Sequence, residues 1–252
     1  MSKYTFTLFL SIFLIGCATV YNPATERKEV IFINEETEVS LGRNVARQLA
    51  AEKALSSNLV QRSRVESIGR KIAQVCDRQT IKYEFSVLED KEFNAVSLPG
   101  GFIYVNSGLA DKLNDNELAF VIGHEVGHVA ALHSIKKVQA NFTMNIILSM
   151  ALAISGNKDA QGAEGLANIS SRVYDVIALG YSRQDEYQAD KLGVKYAYKA
   201  GFDPHAGISA LEKIKKEEAL QPEVFVYLRS HPYADDRINS LKKEISKLPP
   251  KA

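Results

Sequence analysis

Two histidines and a glutamate in the middle of the chain have the spacing of a metal site. His124 and His128 lie four residues apart, and Glu125 follows the first of them in the segment His-Glu-Val-Gly-His. On a helix, side chains at i and i+4 lie on one face, so both imidazoles can bind one metal ion. Glu125 is rotated by about 100° around the helix axis, beside the metal rather than on it, where a general base has to be. Nitrogen and oxygen ligands with one open position describe a catalytic zinc site with one Zn2+ per chain.

The flanking residues predict the helix that presents this motif. Asn114 and Glu117 form a capping-box pattern at its start. Apolar residues then recur at core-facing helical spacings: Leu118, Val121, Ile122, Val126 and Val129. The alternative is that both histidines are core residues and the glutamate faces solvent. The rarity of this motif in a chain with 5 histidines disfavours that alternative.

A third protein ligand is expected from a second helix, predicted from about residue 181 to 201. Glu186 and Asp190 are four residues apart and share a face of that helix. One carboxylate can bind the metal while Asp190 accepts the free ring N–H of His124 and fixes its tautomer. Spacing alone leaves Asp185 open as the ligand in place of Glu186. His133 comes nine residues after His124, so we expect it on the opposite helix face, out of reach of the ion.

The N-terminus has the features of a bacterial export signal with a lipid-attachment cysteine. Lys3 gives a positive start, and residues 6–15 form an apolar run too short to span a bilayer comfortably. The run leads into Leu-Ile-Gly-Cys, which resembles a lipobox, so we expect cleavage before Cys17 and lipidation of its side chain. Lipidation would anchor the protein to a membrane surface; an uncleaved signal anchor is the alternative. By resemblance, Ala18 favours the periplasmic face of the outer membrane over an inner-membrane anchor.

Composition indicates an ordinary globular protein, and the length allows one large domain or two small ones. Hydrophobic residues make up 46% and charged residues 24% of the chain, and the net charge is +1. Without a basic patch, nucleic acid is not expected as a partner. Cys76 lies on an apolar helix face and is predicted to be a buried small hydrophobe without a disulfide. The predicted division is a signal peptide (1–16), a lipidated tether (17–30), the zinc domain (31–248) and a tail (249–252).

Periodicity predicts an α+β fold that is mainly helical, with a small antiparallel sheet beside the motif helix. Further helices are predicted over 35–54, 58–76 and 204–218, and a strand over 83–87. The apolar segment 142–155 is either a core helix, a flap over the cleft or a membrane contact.

Two short β-prone runs flank a turn and are candidates for substrate binding. Residues 94–98 and 102–106 are joined by Pro99-Gly-Gly, and proline places one run at the rim of the sheet. A rim strand offers unpaired backbone groups to an extended peptide. We therefore expect Asn94, Ala95 and Val96 to bind substrate; the alternative is a purely structural hairpin.

Three segments together resemble one known family. They are His-Glu-Val-Gly-His-Val, the run from Asn94 to Leu109, and Ser-Arg-Gln-Asp-Glu-Tyr-Gln-Ala-Asp. They resemble the gluzincin metallopeptidases that include HtpX and the CAAX prenyl endopeptidases, and within them the periplasmic lipoprotein branch, over about residues 25–245. The resemblance implies a zincin-type domain and assigns the following residues: His124, His128 and Glu186 as zinc ligands, Glu125 as the base and Asp190 as support for a ligand.

The family also carries a His-Pro…Arg element, which corresponds here to His231, Pro232 and Arg237. The resemblance implies that this element approaches the active site. His231 would stabilise an oxyanion or occupy the open position of the metal as a latch, and Arg237 would pair with a carboxylate near the zinc. The alternative is a helix-entry loop whose arginine makes only a structural ion pair. His205 is predicted to be an ordinary surface residue.

These features predict a zinc-dependent endopeptidase anchored by lipid to the bacterial envelope. By resemblance, its task is quality control: hydrolysis of misfolded or stalled outer-membrane and periplasmic proteins. The expected partners are extended or misfolded envelope polypeptides, the membrane surface through Cys17, and outer-membrane assembly machinery. Two alternatives stay open. One is a latched, chaperone-like assembly factor with low or regulated proteolysis, and the other is a lipoprotein with a purely structural zinc.

Overall fold

The computed structural model describes residues 19–141, 172–220 and 227–249. The predicted signal peptide, Cys17 and the apolar segment 142–155 lie outside the described residues.

The described chain is mainly helical, as predicted. Its helices are α1 (Glu35–Glu52), α2 (Leu59–Val75), α3 (Ser107–Lys112), α4 (Asp115–Ala130), α5 (His133–Asn141), α6 (172–178), α7 (Arg183–Lys199), α8 (Ala206–Leu220), α9 (Tyr227–Ser230) and α10 (Ala234–Ile245). The helices predicted over 35–54, 58–76 and 204–218 correspond to α1, α2 and α8. Among the described residues, no single helix has the length and hydropathy of a membrane span. Only α4 and α5 taken together pass that test, and they meet at a 51° bend.

The motif helix α4 begins at the predicted cap. Asn114 Oδ1 accepts the backbone N–H groups of Asn116 and Glu117, both at 3.0 Å. Glu117 Oε2 in turn accepts the N–H of Asn114 at 2.9 Å, which completes the capping box. From Glu117 to Ala130 every residue of α4 is buried. A helix buried on all faces lies at the centre of the domain, and its metal-site residues are therefore shielded from water.

The main sheet has three strands: β3 (Glu84–Leu88), β4 (Ala95–Leu98) and β5 (Phe102–Asn106), in the order β3-β5-β4. The β4–β5 pair is the predicted antiparallel hairpin, and β4 lies at an edge. However, β3 pairs with β5 in parallel, so the sheet is mixed rather than wholly antiparallel. The reason is the path of the chain: after β3 it first forms β4, two positions away, and then returns to form β5 between β3 and β4.

The other edge of this sheet is partly covered. The N–H of Ser56 donates to the carbonyl of Val87 at 2.8 Å, and the N–H of Glu89 donates to the carbonyl of Ala54 at 2.8 Å. Leu55 forms an isolated antiparallel bridge with Leu88. These contacts occupy backbone groups of β3, whereas among the described residues no strand pairs with the outer edge of β4.

Residues of the predicted tether form a folded ribbon. Strands β1 (Thr19–Asn22) and β2 (Arg27–Val30) pair antiparallel. The ribbon contacts α5, because Gln139 Nε2 donates to the carbonyl of Val30 at 3.1 Å and Gln139 Oε1 accepts the N–H of Phe32 at 2.7 Å. The described part of the tether therefore packs against the domain.

Glycines allow α4 and α7 to approach closely. A Cβ atom at Gly193 would lie 2.9 Å from the backbone nitrogen of His124, and one at Gly123 would lie 2.9 Å from the carbonyl oxygen of Gly193. Such distances are shorter than real Cβ contacts, so larger residues would push the helices apart. The close crossing brings the carboxylates of α7 to the histidines of α4.

Candidate metal centre

Four buried side chains from three segments of the chain converge on one point. His124 and His128 come from α4, Glu186 comes from α7, and His231 follows α9. One ligand atom from each residue lies within 4.8 Å of the others. The two Nε2 atoms of the α4 histidines are 3.0 Å apart. Glu186 Oε2 lies 3.5 Å from His124 Nε2, and Glu186 Oε1 lies 3.4 Å from His128 Nε2. The predicted ligand set is thus brought together, and Asp185 is not part of it.

The residues present fit a divalent metal ion. Tetrahedral ligand atoms at about 2.0–2.1 Å from a zinc ion are separated by about 3.3 Å, close to the spacings found here. His124 Nδ1 lies 2.9 Å from Asp190 Oδ1 and 3.3 Å from Arg237 Nη2. The shorter contact is with the carboxylate, which can only accept, so we assign the ring proton to this nitrogen. The Nε2 lone pair of His124 therefore faces the cluster. Imidazole nitrogens and a carboxylate around one point form a donor set suited to zinc.

Arg237 neutralises the carboxylates behind the metal ligands. Its Nε and Nη2 atoms donate to the two oxygens of Asp190 at 2.8 and 2.7 Å, and Nη1 lies 2.9 Å from Glu186 Oε2. Nη1 also donates to the carbonyl of His231 at 3.0 Å. Arg237 is completely buried, so these contacts act in a low-dielectric interior. The predicted pairing of this arginine with the carboxylates near the site is present.

These contacts shift the acid–base equilibria of the buried carboxyl groups. Burial alone would raise the pKa of Glu186, but the charges of His231 and Arg237 hold this pKa well below its ordinary value. Burial likewise opposes ionisation of Asp190, and the Arg237 guanidinium lowers the Asp190 pKa in spite of it. Both groups are therefore carboxylates at neutral pH.

Glu125 lies beside the cluster, as the helix geometry predicts. The hydroxyl of Ser97 donates to Glu125 Oε2 at 2.8 Å, and Glu125 Oε1 lies 3.3 Å from His231 Nε2. Sequence reasoning did not identify Ser97. The signal available was strand alternation, which places Ser97 on the same side of β4 as the buried Ala95.

His231 reaches the centre of the cluster. Its Nδ1 lies 3.2 Å from Glu186 Oε1 and 3.2 Å from His124 Nε2. Burial disfavours the charged imidazolium, but Glu186 and Glu125 outweigh this effect and raise the pKa of His231. The ring of Tyr227 stacks on that of His231 with centroids 4.6 Å apart. In this arrangement His231 bridges a candidate ligand and the candidate base.

His133 is close to the site, in a position that the sequence did not predict. Its Nδ1 lies 3.0 Å from the Nδ1 of His128, and its Nε2 lies 2.9 Å from Gln188 Oε1. The expected placement on the opposite helix face is wrong because α4 ends at Ala130 and Leu132 has a left-handed φ of 62°. His133 does not belong to the four-residue cluster. Burial lowers the pKa of His133 to about 4.

The candidate substrate strand is contacted by the segment that carries His231. The N–H of Tyr227 donates to the carbonyl of Phe93 at 3.0 Å, and the hydroxyl of Ser230 lies 3.4 Å from Asn94 Oδ1. Within β4, Ala95 is buried and Val96 is half-buried. The segment therefore covers the start of the edge strand in this conformation.

The sequence predicts positions away from the site for two further residues, and both lie away from it in the structure. His205 is exposed and its Nδ1 lies 3.1 Å from Asp203 Oδ1. Cys76 is buried with a free thiol and lies in the hydrophobic core.

The chain is similar to known metalloproteases over most of its length. The metalloprotease LoiP of Escherichia coli (strain K12) is 28% identical over 184 residues, which cover 73% of this chain and 70% of LoiP. The mitochondrial metalloendopeptidase OMA1 of Schizosaccharomyces pombe is 25% identical over 227 residues, or 88% of this chain and 65% of OMA1. The beta-barrel assembly-enhancing protease of Escherichia coli (strain K12) is 24% identical over 225 residues, or 84% of this chain and 45% of that protein.

The chain spans 65% and 45% of two of these relatives, so the properties of those whole proteins do not follow for it directly. The family model described as Peptidase family M48 matches residues 60–245. This match covers well over half of the chain and includes every residue of the candidate centre. It confirms the resemblance drawn from the sequence motifs. The chain belongs to peptidase family M48.

Proposed function

We propose that this protein is a zinc-dependent endopeptidase of the bacterial envelope. The observation that carries the proposal is the position of Glu125, which is held by Ser97 beside three converging metal-binding side chains. A purely structural metal site needs no buried carboxylate beside the ligands. His124, His128 and Glu186 are the proposed zinc ligands.

Each side chain has a defined role in peptide hydrolysis. A zinc ion held by the three ligands would polarise the scissile carbonyl and acidify a water molecule. Glu125 takes a proton from the attacking water and later delivers it to the leaving amine. Asp190, neutralised by Arg237, keeps His124 in the tautomer that leaves Nε2 free for the metal.

The edge strand β4 is the proposed substrate-binding element. An extended peptide can add alongside β4 through backbone hydrogen bonds, with Asn94, Ala95 and Val96 nearest its start. Recognition of backbone rather than side chains suits clients whose common feature is exposed extended chain. This supports misfolded or stalled envelope proteins as substrates. One relative is named for enhancing beta-barrel assembly, which supports outer-membrane assembly machinery as a partner.

We further propose that His231 acts as a latch. Its ring contacts both Glu186 and Glu125, and the segment 227–231 covers the start of β4. Displacement of this segment would uncover the start of β4 and the Glu125 carboxylate for substrate and water. A protease that His231 keeps blocked would have low or regulated proteolysis, as expected for the alternative of a mainly chaperone-like factor. His231→Ala should increase cleavage of an unfolded substrate; a decrease with unchanged zinc content would instead assign His231 to oxyanion stabilisation.

Lipidation of Cys17 would place the domain at the periplasmic face of the outer membrane, with the inner membrane as the alternative. The described ribbon begins at Thr19, only two residues later, so the domain would lie close to the membrane surface. Mass spectrometry of the mature N-terminus tests the modification. The Cys17→Ser variant should lose its lipid and move to the soluble periplasmic fraction.

The principal test compares wild type with Glu125→Gln, which preserves the size and shape of the side chain. Both proteins should contain one zinc ion, and the variant should cleave casein about 10²–10⁴-fold more slowly. The exposed His205→Gln serves as a matched control and should retain full activity. A Glu125→Gln variant with the wild-type rate would refute the proposed mechanism. If Glu125→Gln also leaves the cellular phenotype intact while His124→Ala unfolds the domain, the zinc is structural.

A further inference from the structure

We propose that His133 is a positioning residue that fixes His128 in the tautomer required for metal binding. The proposal rests on the metal site proposed above and adds a residue outside its ligand set. His133 is 2% exposed, and burial of an imidazole requires that both of its ring nitrogens have partners.

The positions of the protons follow from the partners of each nitrogen. The Nε2 of His128 faces His124 Nε2 at 3.0 Å and Glu186 Oε1 at 3.4 Å, so this atom is the one directed at the metal position. A neutral imidazole that binds a metal through Nε2 carries its proton on Nδ1. That Nδ1–H lies 3.0 Å from the Nδ1 of His133, which must therefore accept.

The groups that face the other ring nitrogen of His133 support this assignment. If its Nδ1 accepts, its proton is on Nε2, and two oxygens face that nitrogen. Gln188 Oε1 lies at 2.9 Å and Asp185 Oδ1 at 3.4 Å. The carboxylate of Asp185 can only accept, so the opposite tautomer would leave two lone pairs facing each other. The chain of donors therefore runs from His128 through His133 to Gln188.

A break in helical geometry at Leu132 positions the side chain of His133. A continuous α4 would carry residue 133 to the other side of the helix. Instead, Leu132 adopts a left-handed conformation with φ 62°, and α5 leaves α4 at a 51° bend. Left-handed backbone is unfavourable for a residue with a branched side chain, and it persists where surrounding contacts require it. The bend directs the His133 ring back toward His128.

A neutral acceptor suits this side of the site. His124 is oriented by the carboxylate of Asp190, whose charge is balanced by Arg237. A second carboxylate behind His128 would add a further buried negative charge near Glu186. An imidazole accepts the same hydrogen bond without that charge.

Zinc affinity tests the proposal, measured by competition with a chelating indicator on the full chain. His133→Phe removes the acceptor but retains a ring, and it should weaken zinc binding by about 10- to 100-fold. His133→Asn places an amide oxygen near the position of Nδ1 and should restore affinity to within a few-fold of wild type. The absorption spectrum of the Co2+-substituted protein should change in His133→Phe and return in His133→Asn.

Outcomes that overturn the proposal are distinct. Equal losses in His133→Phe and His133→Asn would show a packing role only, and wild-type affinity in a folded His133→Phe protein would exclude any role. If His133→Phe does not fold, Gln188→Leu and Gln188→Glu provide the same comparison, because only glutamate keeps an acceptor. The proposal then requires weaker zinc binding in Gln188→Leu than in Gln188→Glu. Wild-type protein without stoichiometric zinc would overturn the proposed function as well.

Discussion

Replacement of Arg237 by methionine should be one of the most destabilising single changes in the domain. Methionine fills a similar volume but removes the charge and all donors. The structure assigns to Arg237 two hydrogen bonds to Asp190, at 2.8 and 2.7 Å, and a contact with Glu186 at 2.9 Å. The variant would therefore bury two carboxylates without their counterion.

The expected loss of stability follows from the burial of the two carboxylates. Removing one partner of a buried ion pair costs about 3–5 kcal/mol, because the remaining charge cannot return to water. Domains of this size are stable by about 5–15 kcal/mol in total, so a large fraction of the stability would be lost. Arg70→Met is the matched control. Arg70 pairs with Glu66 at 3.3 Å on the surface, and such pairs contribute about 0–1 kcal/mol.

Urea unfolding of the zinc-free proteins, followed by circular dichroism, measures both effects. We expect a free energy of unfolding about 3–5 kcal/mol lower for Arg237→Met and a change below about 1 kcal/mol for Arg70→Met. Adding Asp190→Asn to Arg237→Met should recover part of the loss, since one uncompensated charge is removed. If the free energy of unfolding of Arg237→Met lies within about 1 kcal/mol of the wild-type value, the reasoning about buried charge is refuted.

Three further changes test other parts of the structure. Ser97→Ala removes the donor to Glu125, a charge-assisted bond worth about 1.5–3 kcal/mol, so kcat should fall about 10- to 100-fold while zinc content stays unchanged; a Thr variant should retain most activity. Gly193→Ala gains about 0.5–1 kcal/mol of helix propensity but overpacks the α4–α7 crossing by about 1–3 kcal/mol, so thermal unfolding should show net destabilisation and zinc binding should weaken. Burial alone would raise the pKa of Glu117, but Lys213, the backbone N–H of Asn114 and the hydroxyl of Ser209 lower it. Lys213→Met removes the cation among these partners. Because the pKa of Glu117 is lower in the folded state, its carboxylate stabilises the fold at pH values above the unfolded-state pKa of about 4.3. This stabilisation is lost as the pH falls through the folded-state pKa. The variant should thus be less stable by up to about 1 kcal/mol at pH 7, and the difference from wild type should disappear in acid.

The three proposed zinc ligands and Glu125 could be predicted because they lie on helices. Helix geometry fixes the relative directions of His124, Glu125 and His128, and the same rule places Glu186 and Asp190 on one face. The meeting of the two helices did not follow from spacing. It required the family resemblance, which selected Glu186 over Asp185; in the structure Glu186 lies in the four-residue cluster.

The features that were missed depend on breaks in local regularity or on distant packing. His133 was misplaced because helical periodicity was extended through Leu132, where neither glycine nor proline marks the left-handed turn. The parallel pairing of β3 with β5 depends on strand order, which tertiary packing decides rather than alternation. The hydrogen bond from Ser97 to Glu125 joins a strand to a helix 28 residues away, and no sequence period relates them.

X-ray diffraction at the zinc absorption edge, on crystals grown from protein purified without chelators, tests the central claim most directly. The account predicts one anomalous peak per chain, within about 2.0–2.2 Å of the Nε2 atoms of His124 and His128 and of a carboxylate oxygen of Glu186. The Glu125 carboxylate should lie beside the ion without binding it. No peak at this position, or a peak with Glu186 outside bonding distance, would contradict the account.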